Sequence, residues 1–297
     1  SLNEIRTIAY PIIGAIGALL LTGTAAVVAR RLDKPAVAVL ANCAPVLLAC
    51  SIAGALPAGP WTAYGALAAG VALTVGALSS LVLPGRLRAS GLAPAIIGVS
   101  LGLFGLLSGT LGIQPERITA LLAALLLLAC LSIPWLAMAS TPVRVTGPSA
   151  AAQIDPRQID KSVSMGVSMS VSIRLGTCLA LVILTPILCS TSQGIVLSAL
   201  IGAALMLSTR SIRSRVEVLI GVLSGMAVLA WAAYAAALQS ATSLLLVLVT
   251  SLTGSLLVLA TNVVTPKTRP WLSRTADTIS TLVIIAVPPF ALYMWGM

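Results

Sequence analysis

Histidine is absent from this sequence of 297 residues, and only seven acidic side chains occur: Glu4, Asp33, Glu116, Asp155, Asp160, Glu217 and Asp277. Without histidine the chain lacks the ordinary proton shuttle of neutral pH and the commonest zinc ligand. A Ser-His or Cys-His nucleophile pair cannot be assembled either. No GxxxxGK[ST] stretch is present, so any nucleotide-driven step belongs to a partner. The five cysteines, Cys43, Cys50, Cys130, Cys178 and Cys189, show no CxxC spacing and lie in apolar runs, where thiols act as small hydrophobes. Aromatic side chains are scarce, with two Phe and four Tyr, and no basic stripe is interleaved with them. The net charge of +10 is therefore not read as a nucleic-acid footprint. No catalytic, cofactor-binding or metal-ligating residue is expected.

Charge of either sign is also in short supply. Charged residues make up 8% of the chain, against roughly 25% in soluble domains. Hydrophobic residues make up 59%, and the mean hydropathy is +1.09. Most of such a surface cannot face water, so the expected class is an all-α, polytopic helical membrane protein. A crossing needs about 20 apolar residues, and the sequence divides into ten such stretches near residues 7–29, 35–56, 60–83, 91–112, 118–140, 174–190, 195–209, 217–238, 242–264 and 277–297. Residues 1–140 then hold helices 1–5, and residues 174–297 hold helices 6–10. Between them, residues 141–173 form a cytoplasmic linker with room for a short surface helix after Pro156. All seven acids fall in predicted loops or at predicted helix ends, which leaves no carboxylate inside a span for proton or sodium coupling.

The cations set the orientation. Arg30, Arg31, Lys34, Arg86, Arg88, Arg144, Arg157, Lys161, Arg174, Arg210, Arg213, Arg215, Lys267, Arg269 and Arg274 all follow odd-numbered helices, and only Arg6 and Arg117 lie opposite. Such a bias places the odd-numbered loops in the cytoplasm and both ends of the chain outside. An outward Ser1 leads us to expect one more span upstream, eleven in the full protein. Tyr293 and Trp295 suit an outer interfacial belt.

Helix 4 carries Gly98, Gly102, Gly105, Gly109 and Gly112, spaced 4, 3, 4 and 3 apart along one face, and Gly221 and Gly225 repeat the pattern in helix 8. In lipid, helices associate through van der Waals contact across small residues. These glycines mark either packing within the chain or an interface between copies. Pro45, Pro134, Pro186, Pro288 and Pro289 fall within spans without a charged group beside them, so they are read as shaping the helices.

Three stretches carry a family resemblance. The first is Leu205–Arg215, a short helix end running into an arginine cluster and then directly into the next span. The second is Pro266-Lys267-Thr268-Arg269-Pro270-Trp271 ahead of a last helix containing Pro288. The third is the mid-chain loop after Trp135, with Pro142 and Asp155. Together with Ala-, Gly-, Leu- and Val-rich helices typical of GC-rich actinobacteria, they make the chain resemble EccD, the polytopic membrane component of the mycobacterial type VII (ESX) secretion system. The resemblance implies a ubiquitin-like domain before eleven spans, with the C-terminus outside in the plasma (inner) membrane. It also implies a second copy of the chain, the two pairing into a lipid-filled barrel beside the ATPase EccC, with EccB and EccE completing the complex. Arg210, Arg213 and Arg215 would then touch those partners, or bind membrane lipid phosphates. The family's last helix often begins near a Glu, whereas the nearest acid here is Asp277.

Two functions follow from these readings. One is a non-catalytic scaffold subunit of an export complex. The other, prompted by the many Ser, Thr and Gly residues within the spans, is an ion-uncoupled permease for small solutes or lipids.

Overall fold

The structure, a computed structural model, describes residues 2–29, 35–55, 62–82, 85–140, 156–209, 214–239 and 269–296. These form helices α1 (Leu2–Ala29), α2 (Pro35–Ala55), α3 (Ala63–Ala77), α4 (Leu92–Leu111), α5 (Pro115–Ser140), α6 (Pro156–Leu188), α7 (Ser192–Ser208), α8 (Arg215–Gln239) and α9 (Arg269–Trp295). Two 3-10 helices, Leu78–Val82 and Gly85–Gly91, join α3 to α4. No strand occurs among the described residues.

Local signals account for the helix ends. Helices α2, α5 and α6 begin on Pro35, Pro115 and Pro156, where the missing N–H costs nothing and φ is already helical. Thr62 and Thr191 cap α3 and α7, their hydroxyls accepting from the amides of Gly65 and Gly194 at 3.2 and 3.1 Å. Gly112, at φ 60°, turns the chain out of α4 in the left-handed region that glycine adopts without strain.

Nine of the ten apolar stretches expected from sequence overlap the described helices α1–α9, and the remaining one, residues 242–264, lies outside the described residues. Among the described residues, five helical segments are long and apolar enough to cross a membrane: Arg88–Leu111, Pro115–Ile133, Ser164–Leu188, Arg215–Gln239 and Thr278–Trp295. Four more, Pro11–Ala25, Ala41–Ile52, Ala63–Ala77 and Ser192–Ser208, are apolar but shorter.

The largest departure is α6. The sequence suggested a span from residue 174 after a linker, but the helix starts at Pro156 and runs unbroken for 33 residues. The Ser-Met-Gly-Val stretch between them has no strong helix breaker, since one glycine costs only about 1 kcal/mol. The segment expected as a short surface helix is thus continuous with the long apolar helix segment Ser164–Leu188. Arg174 moves with it. Counted above as a loop-end cation, it stands in mid-helix with 3% of its surface exposed. Fourteen residues separate it from Leu188, about 21 Å along the axis and less than the roughly 30 Å hydrocarbon thickness. The expectation that charged groups keep to the helix ends is corrected at this residue.

The chain divides into two compact units. Unit 1 comprises Ser1–Gly109 and Ser132–Gly176, and unit 2 comprises Thr110–Leu131 and Thr177–Met297, so α5 and α6 each contribute a part to both. Within unit 1, successive helices α1 to α4 pack antiparallel, with Ala49, Ala69, Ala72 and Leu73 buried between α2 and α3. Within unit 2, α7 packs against α8 and α9, and every residue from Ile201 to Thr209 is buried.

Many large apolar side chains point outward, and many of the buried positions are alanines. Leu19, Leu223 and Leu238 are 74%, 64% and 72% exposed, whereas Ala25, Ala120, Ala204 and Ala232 are buried. A soluble protein would not present so much contiguous apolar surface. In lipid the pattern is the favourable one, because leucine gains nothing by leaving hydrocarbon and small residues let backbones approach.

Candidate functional site

The glycines singled out in α4 do different things. A Cβ on Gly98 would meet the backbone of Thr74 at 2.7 Å and of Gly70 at 2.8 Å, and one on Gly105 would run into the backbone of Ala63 and Leu67. Both therefore face α3 of the same unit at backbone distance. Gly102 has open space where its Cβ would stand, yet its own backbone is where a Cβ on Gly70 would collide. Gly109 only touches Ala63 at ordinary contact distance, and Gly112 is the helix-ending turn. In unit 2, Gly221 is buried, and Gly225 faces α7, where a Cβ would lie 2.7 Å from Met206 Cγ.

Gly70, Gly194 and Gly202 were not legible as packing residues. Gly70 and Gly202 are the partners that complete the two crossings. Gly194 sits directly on the Leu188 carbonyl and closes the α6–α7 turn. The residues facing each glycine across a helix pair are far away in sequence, so no spacing rule could have found them. Of the arginine cluster, Arg215 opens α8 and is exposed, while Arg210 and Arg213 lie outside the described residues.

Several hydroxyls within the helices bond to their own helix backbone. Thr22 donates to the Ala18 carbonyl at 2.7 Å, Ser100 to Ile96 at 2.7 Å, Thr185 to Leu181 at 2.7 Å and Ser224 to Ile220 at 2.6 Å. Such bonds satisfy a hydroxyl in a medium without water.

A set of polar contacts between helices lies at one end of unit 2. Ser190 Oγ, in the α6–α7 turn, donates to Glu116 Oε1 on α5 at 3.2 Å. Gln239 Nε2, at the last residue of α8, donates to the carbonyls of Cys189 and Ser190 at 3.2 and 3.3 Å. Arg117 Nη1 donates to the carbonyl of Trp295, which ends α9, at 3.3 Å. The Cys189 thiol donates to Ser198 Oγ at 3.2 Å, and burial pushes that thiol's pKa up, outweighing the lowering by Ser198. Helices α8 and α9 both finish in this cluster and so run parallel. Among the described residues no group of three His, Cys, Asp or Glu side chains could hold a metal ion.

Fold and site together define a polytopic helical membrane protein in which Ser190, Gln239 and Arg117 link helix ends. Residues 4–297 match the EccD-like transmembrane domain, and the chain belongs to that family, the membrane components of type VII secretion. Its fold is similar to that of protomer 1 of the ESX-3 core complex, with a TM-score of 0.68 and 16% identity over 99% of this chain and 71% of that chain. No curated protein matches the chain.

Proposed function

We propose that the chain is a non-catalytic scaffold subunit of a type VII secretion complex in the plasma (inner) membrane. In this reading it crosses the bilayer ten times, with both ends of the described chain outside. Two copies pair around a lipid-filled interior and support the ATPase EccC, with EccB and EccE alongside. The observation that carries the reading is the family match over residues 4–297. The parallel course of α8 and α9 supports the ten-span count, because consecutive spans run antiparallel. The cation bias supports the orientation, with Arg174 now set aside as a residue within a span. Arg210, Arg213 and Arg215 are proposed contacts for partner subunits or lipid phosphates on the cytoplasmic face. Gly98, Gly102, Gly105, Gly221 and Gly225 are read as serving helix packing, while Gly109 and Gly112 stay candidates for a surface between copies, away from the α3–α4 crossing.

Deleting the gene and restoring it tests the reading. Export of the system's substrates is expected to stop and to return with the intact chain. Unchanged export in the deletion strain would remove the proposal. Solute flux through liposomes holding this protein alone would instead support an ion-uncoupled permease.

A further inference from the structure

The polar contacts at the Glu116 end of unit 2 tie together three helix termini and one turn. Glu116 and Arg117 sit in the first turn of α5, Cys189 and Ser190 form the α6–α7 turn, Gln239 is the last residue of α8, and Trp295 the last of α9. Three features set this end apart from an ordinary group of surface side chains. Three of its four links between elements end on backbone carbonyls, acceptors whose positions the main chain fixes. The carbonyls of Cys189 and Ser190 lie at a helix C-terminus, where they have no partner within the helix and attract donors. The connections are also as short as helices allow: Gly112–Gln114 joins α4 to α5, and Cys189–Thr191 joins α6 to α7. In the latter, the Cys189 amide donates to Thr185 O at 2.9 Å and the Gly194 amide to Thr191 Oγ1 at 3.1 Å.

We propose that this cluster is a clasp that keeps the Glu116 end of unit 2 closed, so that any separation of α5, α7, α8 and α9 begins at the opposite end of the helices. Near the membrane surface, where water competes less than in bulk, hydrogen bonds that satisfy otherwise orphaned carbonyls cost most to break. The outward-opening half of an alternating-access cycle would have to break all of them together. The clasp thus makes unit 2 a fixed cap at this end. The inference concerns the fold itself and stands whether or not the scaffold reading survives.

Hydrogen–deuterium exchange on the purified full chain in lipid nanodiscs tests it. The amides of Arg117, Cys189, Ser190 and Gly194 are expected to exchange more slowly than that of Val218 at the opposite end, which donates to Ser214 O at 3.1 Å. Gln239→Leu is expected to speed exchange of the 187–194 turn and the first turn of α5 by about tenfold, as local opening would. It should leave Ala66 of unit 1, whose amide donates to Thr62 O, unchanged. If that variant does not fold, Ser190→Ala is read in the same way. Fast exchange of the turn in the parent protein, unchanged rates in the folded variant, or equal acceleration in both units would each overturn the proposal.

Discussion

Gly202 of α7 and Gly225 of α8 meet backbone to backbone: a Cβ on Gly202 would lie 3.1 Å from the Gly225 carbonyl oxygen, and one on Gly225 would lie 3.0 Å from that of Gly202. The two helices cross where neither has a side chain, and Met206 and Leu229 close over the crossing from either side. In lipid this proximity is the association energy, because burial of apolar surface adds nothing there.

Gly202→Val should therefore drive α7 away from α8. Overfilling a tight contact costs about 1–3 kcal/mol, and the expected outcome is a lowered midpoint in thermal unfolding of the detergent-solubilised protein. Met206→Ala should also lower it, through a cavity instead of a clash, by about 2–5 kcal/mol.

The α3–α4 crossing makes a sharper comparison, because two neighbouring glycines should respond in opposite directions. Gly102→Ala places its methyl in open space and should hold or raise stability by about 0.5–1 kcal/mol through helix propensity. Gly105→Ala meets the α3 backbone and should lower it. Equal responses at the two positions would contradict the packing described.

Gly194→Ala should be among the most damaging single-methyl additions in unit 2, since the new carbon would occupy the place of the Leu188 carbonyl. The turn would have to reopen, and the Thr191 cap with it, at a cost of about 1–3 kcal/mol. Faster proteolysis at the α6–α7 turn is the measurement.

Cys189 should resist alkylation at neutral pH in the folded protein and react once the protein is unfolded, since its side chain is buried. Its pKa is raised in the fold, so folding favours the neutral thiol. The resulting stabilisation is complete below the ordinary thiol value of 9.0 and is lost as pH rises through the raised value. In Cys189→Ser this alkaline loss should be smaller, as read from unfolding midpoints above pH 9 against neutral pH.

Helices were readable from sequence because in this chain an apolar run leaves no other option: a backbone in lipid must bond within itself. Prolines at positions 35, 115 and 156 and threonines at 62 and 191 mark starts that the structure uses. The start of α6 was obscured by Ser and Gly residues that resemble a linker in composition, and Arg174 beside them looked like the end of a loop. A polar run does not break a helix unless something removes its hydrogen bonds, and nothing between Pro156 and Pro186 does. The glycine stripe of α4 was visible as a pattern, but its occupants Gly70, Ala63 and Leu67 lie some 30 to 40 residues away in another helix. The clasp was invisible for the same reason: Glu116, Ser190 and Gln239 are ordinary surface residues until the fold brings them together.

Affinity purification of the tagged full-length chain from its own membranes in mild detergent, followed by mass determination of the intact particle, tests the central claim most directly. A scaffold subunit is predicted to emerge in a large particle containing at least two copies of itself and the secretion ATPase. A particle holding a single copy and no ATPase, from cells that are actively secreting, would contradict it.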